Sequence, residues 1–118
     1  MSAVGLPLHW RLQVKNESGS TGAVSALFRG VKLSTDGALS YASTGAMTNI
    51  LSATTVANNG VLNSSSLDNS TDKFLGADLD MNFLSTGGGN GSFIVYFQGG
   101  LSTGDYPGNE SGLVALVV

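Results

Sequence analysis

The clearest candidates for chemistry in this chain are the oxygen donors of Asp78-x-Asp80-x-Asn82, spaced at alternate positions like the opening of a calcium-binding loop. Such a loop also needs a glycine at its sixth place and a glutamate at its twelfth; here those places hold Phe83 and Gly89. The same alternation fits a strand whose wet face carries acids that resist edge pairing, and that is the expectation adopted. A cation site assembled from the loop acids Asp68, Asp72, Asp105 and Glu110 is the alternative. His9 is the only histidine, and its polar position beside Trp10 makes it a surface residue by pattern. General acid-base work would need an orienting partner for it, and spacing alone places neither a Ser-His-Asp set nor a carboxylate pair. Gly87 to Gly91 is no phosphate loop, since no Lys-Ser/Thr follows and the next segment has strand character. No catalytic residue, no metal ligand set, no cofactor and no enzymatic activity are therefore expected.

Asn-x-Ser/Thr triplets occur at Asn16, Asn63, Asn69, Asn90 and Asn109. All five fall in segments expected as turns or loops, where Asn, Ser and Thr bond the local backbone, so the excess reads as turn chemistry. Tyr41, Tyr96, Tyr106 and Trp10 have the rings needed to stack on sugars, but Trp10 faces inward by alternation and only Tyr106 falls clearly in a loop.

The elements that must position these residues are strands. Leu8, Trp10, Leu12 and Val14 alternate with His9, Arg11, Gln13 and Lys15, the period-two signature of a half-buried strand. Asn16 to Gly22 predicts a hairpin turn into Val24, Ala26 and Phe28, with Gly30 marking an interruption or bulge. A short strand is expected within 38–43 and a hairpin at Asn59-Gly60; over Met47 to Val56 the spacing of Met47, Ile50, Leu51 and Thr54 is helical, but β-branched Ile50, Thr54, Thr55 and Val56 favour a strand, which is the expectation adopted. Asn63 to Thr71 reads as a polar loop. From Lys73 to Phe83, Leu75, Ala77, Leu79, Met81 and Phe83 share one face, with Asp78, Asp80 and Asn82 on the other. Phe93 to Phe97 is continuously apolar, as in a strand covered on both faces. Gly99 to Gly112 is a long loop with Tyr106-Pro107-Gly108 at its middle, and long loops in compact domains tend to make functional contacts. The uncharged hexamer Leu113 to Val118 must pair in the sheet or against a neighbouring subunit, because left bare it is an aggregation hazard. This pattern predicts one all-β domain over residues 1–118, an antiparallel β-sandwich or jelly roll of six to eight short strands.

Composition narrows the function classes. Of 118 residues 11% are charged, against about 25% in an ordinary domain, and small neutral polar residues fill the remaining surface. Such a surface suits a protein working inside an ordered assembly. The absence of cysteine excludes disulfide frameworks, thiolate metal sites and thiol nucleophiles. Five scattered basic residues and a net charge of -3 make no positive stripe for nucleic acid. No signal-peptide pattern or membrane span is expected, the longest apolar run being Leu113 to Val118.

Asp68-Asn69-Ser70-Thr71-Asp72-Lys73-Phe74-Leu75-Gly76-Ala77-Asp78-Leu79, then Phe93-Ile94-Val95-Tyr96-Phe97, then Gly104-Asp105-Tyr106-Pro107-Gly108, resemble small all-β virion proteins of tailed bacteriophages. The resemblance covers about the last fifty residues. It implies a capsid decoration or cement protein, or a tail or fibre component, assembled in the host cytoplasm and residing in the virion. The partners it implies are the major capsid protein or other virion proteins, with the chain itself a homo-oligomer, a trimer being favoured. Tyr106, Pro107, Leu113, Val114, Leu116, Val117 and Val118 are the expected assembly contacts. The rival expectation is a tail adhesin that holds carbohydrate through Tyr106, Tyr41 and the acidic loops.

Overall fold

In a computed structural model of the chain, the described residues are 7–33, 36–41, 47–70, 73–87, 91–100 and 104–118, and they form nine strands and no helix. In chain order these are β1 (His9–Glu17), β2 (Gly22–Leu33), β3 (Leu39–Tyr41), β4 (Thr48–Val56), β5 (Val61–Asn63), β6 (Leu67–Asp68), β7 (Gly76–Ser85), β8 (Ser92–Gly100) and β9 (Leu113–Val117). The all-β antiparallel sandwich foreseen from the alternation is present. The strand count exceeds six to eight because β6 forms inside Asn63 to Thr71, where the backbone of Leu67 and Asp68 pairs with β1 despite its polar neighbours.

Each sheet is organised round one long strand. β1 pairs with β8 along its whole length on one side, from His9 opposite Gly100 to Glu17 opposite Ser92, and with β5 and β6 in line on the other. β2 likewise has β7 on one side and β4 and β3 in line on the other. Beyond β8 the first sheet carries one more strand, β9. The sheets stack so that β1 covers β2 and β8 covers β7. Trp10 meets Phe28 edge-on at 5.6 Å, and Phe83 meets Phe93 at 5.3 Å. Ser65 N–H, just beyond β5, donates to Ile50 C=O of β4 at 3.2 Å. The smallest dimension of the molecule, 21 Å, is that of two sheets about 10 Å apart with side chains on both outer faces.

The core forms where the alternation places it. Trp10, Leu12 and Val14 of β1, Val24 and Ala26 of β2, Ile50, Leu51 and Val56 of β4, and Phe93 and Val95 of β8 are buried. Full burial of each larger side chain contributes about 1.5–3 kcal/mol. Trp10 also stacks on Phe97 at 5.4 Å, which ties β1 to β8 inside one sheet.

Two expected hairpins are instead crossings between sheets. β1 and β2 lie in different sheets, as do β4 and β5, so the turns at Asn16 to Gly22 and Asn59-Gly60 join strands that do not pair. Turn chemistry is nevertheless present, with Asn59 at φ +65° and Gly60 N–H donating to Ala57 C=O at 2.8 Å. Gly30 neither bulges nor interrupts β2, since its pairing with Ala77 is regular. A glycine is required there because the Phe74 ring lies where a Cβ would fall, 2.5 Å away. β7 begins at Gly76 rather than Lys73, because Lys73 takes φ +53° and turns the chain.

Candidate functional site

β9 is the edge of the larger sheet and the most apolar exposed element among the described residues. Its partner β8 places Leu116 opposite Val95 and Leu113 opposite Phe97, on the core side, and Val117 opposite Ile94 and Val114 opposite Tyr96, on the outer side. Among the described residues no strand packs over either face. Leu113, Val114, Leu116, Val117 and Val118 are 48, 51, 43, 59 and 52% exposed. The stacking explains this: the first sheet is one strand wider than the second, so β9 overhangs β7 with no strand beneath it. Gly112 starts the strand at φ +100°, with Phe97 C=O where a Cβ would lie, so the chain turns into β9 through a position only glycine fills without strain.

The long loop before β9 lies flat over the outer face of the same sheet. Gln98 Nε2 of β8 donates to Gly108 C=O and Ser111 C=O, both at 3.1 Å, while its Oε1 accepts from Arg11 Nε at 2.8 Å. Gln13 Nε2 of β1 donates to Asn63 Oδ1 at 2.8 Å and Asn109 Oδ1 at 3.2 Å, and its Oε1 accepts the Glu110 N–H at 2.7 Å. Both glutamines are fully buried under the strap. Lys15 adds an ion pair to Glu110 at 3.6 Å. The Tyr106 ring lies over the Arg11 guanidinium, 4.6 Å from its centroid, and its hydroxyl bonds to Ser66.

This arrangement divides the expected assembly contacts. Leu113, Val114, Leu116 and Val117 of β9, Val118 just after it, and Pro107 are exposed. Tyr106 is half-buried and engaged within the chain, where Arg11 and Ser66 hold the ring against the sheet. The side chain of Tyr41, the other candidate for sugar stacking, lies outside what the structure describes. Gln13 and Gln98 escaped the sequence reading. Polar residues at outward positions of β1 and β8 read as solvated, and only a loop arriving from residues 104–112 buries them.

The oxygen donors stay dispersed. Asp78 pairs with Arg29 at 3.1 Å on the outer face of β7, and Glu110 faces Lys15. Ser70 donates to Asp68 through its hydroxyl at 2.6 Å and its N–H at 2.8 Å, which together hold the Asp68 carboxyl below its ordinary range. Asp72, the remaining member of the loop set, lies outside the described residues. Among the described residues no three of His, Cys, Asp and Glu gather as metal ligands, and no helix is long and apolar enough to cross a membrane. His9 is half-buried in β1, opposite Asp68 of β6.

Two of the Asn-x-Ser/Thr asparagines stand in strands rather than loops, Asn16 in β1 and Asn63 in β5, while Asn90 lies outside the described residues. Asn16 is fully buried; its Oδ1 accepts from Ser18 N–H at 2.9 Å and its Nδ2 donates to Ser20 C=O at 2.9 Å and Val56 C=O at 3.0 Å. Asn69 Oδ1 accepts the Phe74 N–H and its Nδ2 donates to the Phe74 C=O. Asn16 and Asn69 thus bond backbone, as the turn reading expects, whereas Asn63 and Asn109 accept from the Gln13 side chain.

Comparisons of the chain with protein-family models, with curated proteins and with solved structures return no match.

Proposed function

We propose that the protein is a virion structural subunit, a capsid decoration or cement protein that binds the outer capsid lattice as a homo-oligomer and stabilises the particle without catalysis. The observation that carries this reading is β9, an uncharged, half-exposed edge strand that overhangs its own sandwich. Large exposed apolar surface on a folded domain marks a place where another protein sits. The low charge of the chain supports the same reading, because a surface of small neutral groups packs against neighbours with little desolvation cost. A strap pinned by two buried glutamines would hold the root of β9 rigid and so favour clamping over induced fit.

A second reading, an adhesin holding host carbohydrate, draws on a shallow hollow of about 640 Å³ lined by Pro7, Gly99, Gly100, Asp105, Tyr106 and Pro107. An aromatic ring beside a carboxylate suits a sugar, but Tyr106 already spends its hydroxyl on Ser66 and one ring face on Arg11.

The test is to strip particles of the protein, add it back, and measure bound copies and the temperature of particle rupture. Rebinding with a rise in rupture temperature is expected, together with loss of occupancy on deleting Leu113 to Val118. Tyr106→Ala is expected to leave occupancy unchanged. Full occupancy without residues 113–118 removes the ground for the decoration reading, and glycan binding abolished by Tyr106→Ala would establish the adhesin in its place.

A further inference from the structure

We propose that β9 of one copy pairs antiparallel with β9 of a second copy across a two-fold axis, fusing the two larger sheets into one continuous sheet. This rests on the reading of β9 as an assembly surface and names what occupies it.

Four lines of reasoning select that occupant. First, β9 has backbone to offer. Val118 N–H donates to Phe93 C=O at 3.0 Å and Phe93 N–H to Val118 C=O at 3.3 Å. In an antiparallel ladder the next residue therefore turns its N–H and C=O away, so the Val117 peptide groups point off the sheet. Second, antiparallel pairing across a two-fold axis sets the residues at the axis beside their own copies and brings the rest of two identical strands together, so a charged strand repels itself. The side chains of Leu113 to Val118 are all uncharged. Third, the other edges are blunted. β7 shows Asp78 and Asp80, whose copies would repel. β4 is broken by Ala53 at φ +46°, with the Ala53 N–H taken by Ser25 Oγ at 3.1 Å, and β3, β5 and β6 have three residues or fewer. β9 has one irregularity, the extra residue Ala115 opposite the Val95/Tyr96 step, and Val117 lies beyond it.

Fourth, the area fits a pair. Five aliphatic side chains about half exposed present on the order of 400 Å² per copy, at the top of what a soluble monomer leaves bare and about half of what a standard interface buries per partner. Ile94 and Tyr96, half-buried beside Val117 and Val114 on the outer face, extend the patch. An isologous contact closes at two copies, whereas a head-to-tail contact needs a second edge complementary to β9, which the blunted edges do not offer, and closes into a ring only if the rotation allows. The oligomer proposed is accordingly a dimer in place of the trimer expected from the sequence.

The experiment uses the whole chain. Light scattering should give twice 12.0 kDa. Val117→Pro deletes an N–H that β8 does not use and blocks the free edge, so it should weaken self-association at least tenfold while the β-sheet circular dichroism persists; Val117→Lys, which brings a charge from each copy into the apolar seam, should do the same without altering the backbone. Because the chain lacks cysteine, single cysteines at positions 113, 114, 116 and 117 report register by disulfide-linked dimer formation. One or two of them should cross-link at least tenfold faster than the equally exposed Leu84→Cys. A monomer or trimer mass, or cross-linking no faster than at position 84, overturns the proposal. A monomer that binds particles and loses binding on Val117→Pro also overturns it, by assigning the edge to a strand of another protein, and leaves the decoration reading intact. A β9-linked dimer indifferent to particles upholds the pairing and removes the decoration reading.

Discussion

At the scale of single residues, the fold depends on amides whose importance is invisible until the distant partner is placed. Asn16 sits where β1 leaves the first sheet, and its side chain bonds both the departing turn and the end of β4 at Val56. Asn16→Ala removes three hydrogen bonds and leaves buried backbone groups unpaired, a cost of about 3 kcal/mol. Urea denaturation should show the midpoint falling with the slope unchanged; a loss below about 1 kcal/mol would mean that water replaces the amide. The Asn-Glu-Ser-Gly stretch showed plainly that the chain turns here. That Asn16 is a buried strand residue was not legible, because Val56 C=O reaches it from forty residues away.

At the scale of elements, alternation carried most of the information. It placed β1, β2 and β7 within a few residues and put Trp10, Leu12, Val14 and Val24 in the core, where they lie, while β-branched content marked β4 and a continuous apolar run marked β8. What it could not decide is pairing. A turn former specifies that a chain reverses, while the partner a strand takes depends on which apolar faces are left to cover, and so the two expected hairpins proved to be crossings. The strap was legible as a long loop but not as a covering layer. Its attachment predicts that Gln13→Ala, which cuts contacts to Asn63, Asn109 and Glu110 at once, costs about 2 kcal/mol and opens the loop to protease. Limited proteolysis should cut the variant within residues 104–112 well before the parent chain, and equal cleavage times would show that Gln98 and the Tyr106 contacts suffice to hold it.

At the scale of the whole molecule, a first sheet of four ranks lies over a second of three, and the overhang is where the proposed assembly surface lies. Hydrophobic patterning alone hid this, since Leu113 to Val118 reads equally well as a buried strand; only the sheet widths reveal that no strand among the described residues lies beneath it. The physical nature of that surface fixes how association must respond to conditions. With no charge on β9, raising salt from about 0.1 M to about 1 M shortens the Debye length from about 10 Å to about 3 Å without removing an attraction. Dimer affinity is expected to hold or rise slightly over that range, and to weaken on cooling, because apolar burial loses driving force at low temperature. Sedimentation equilibrium over a salt series and a temperature series reads both. Affinity that falls steeply with salt would place the contact on the charged outer face, at pairs such as Lys15 with Glu110 or Arg29 with Asp78, and would take the assembly role away from β9.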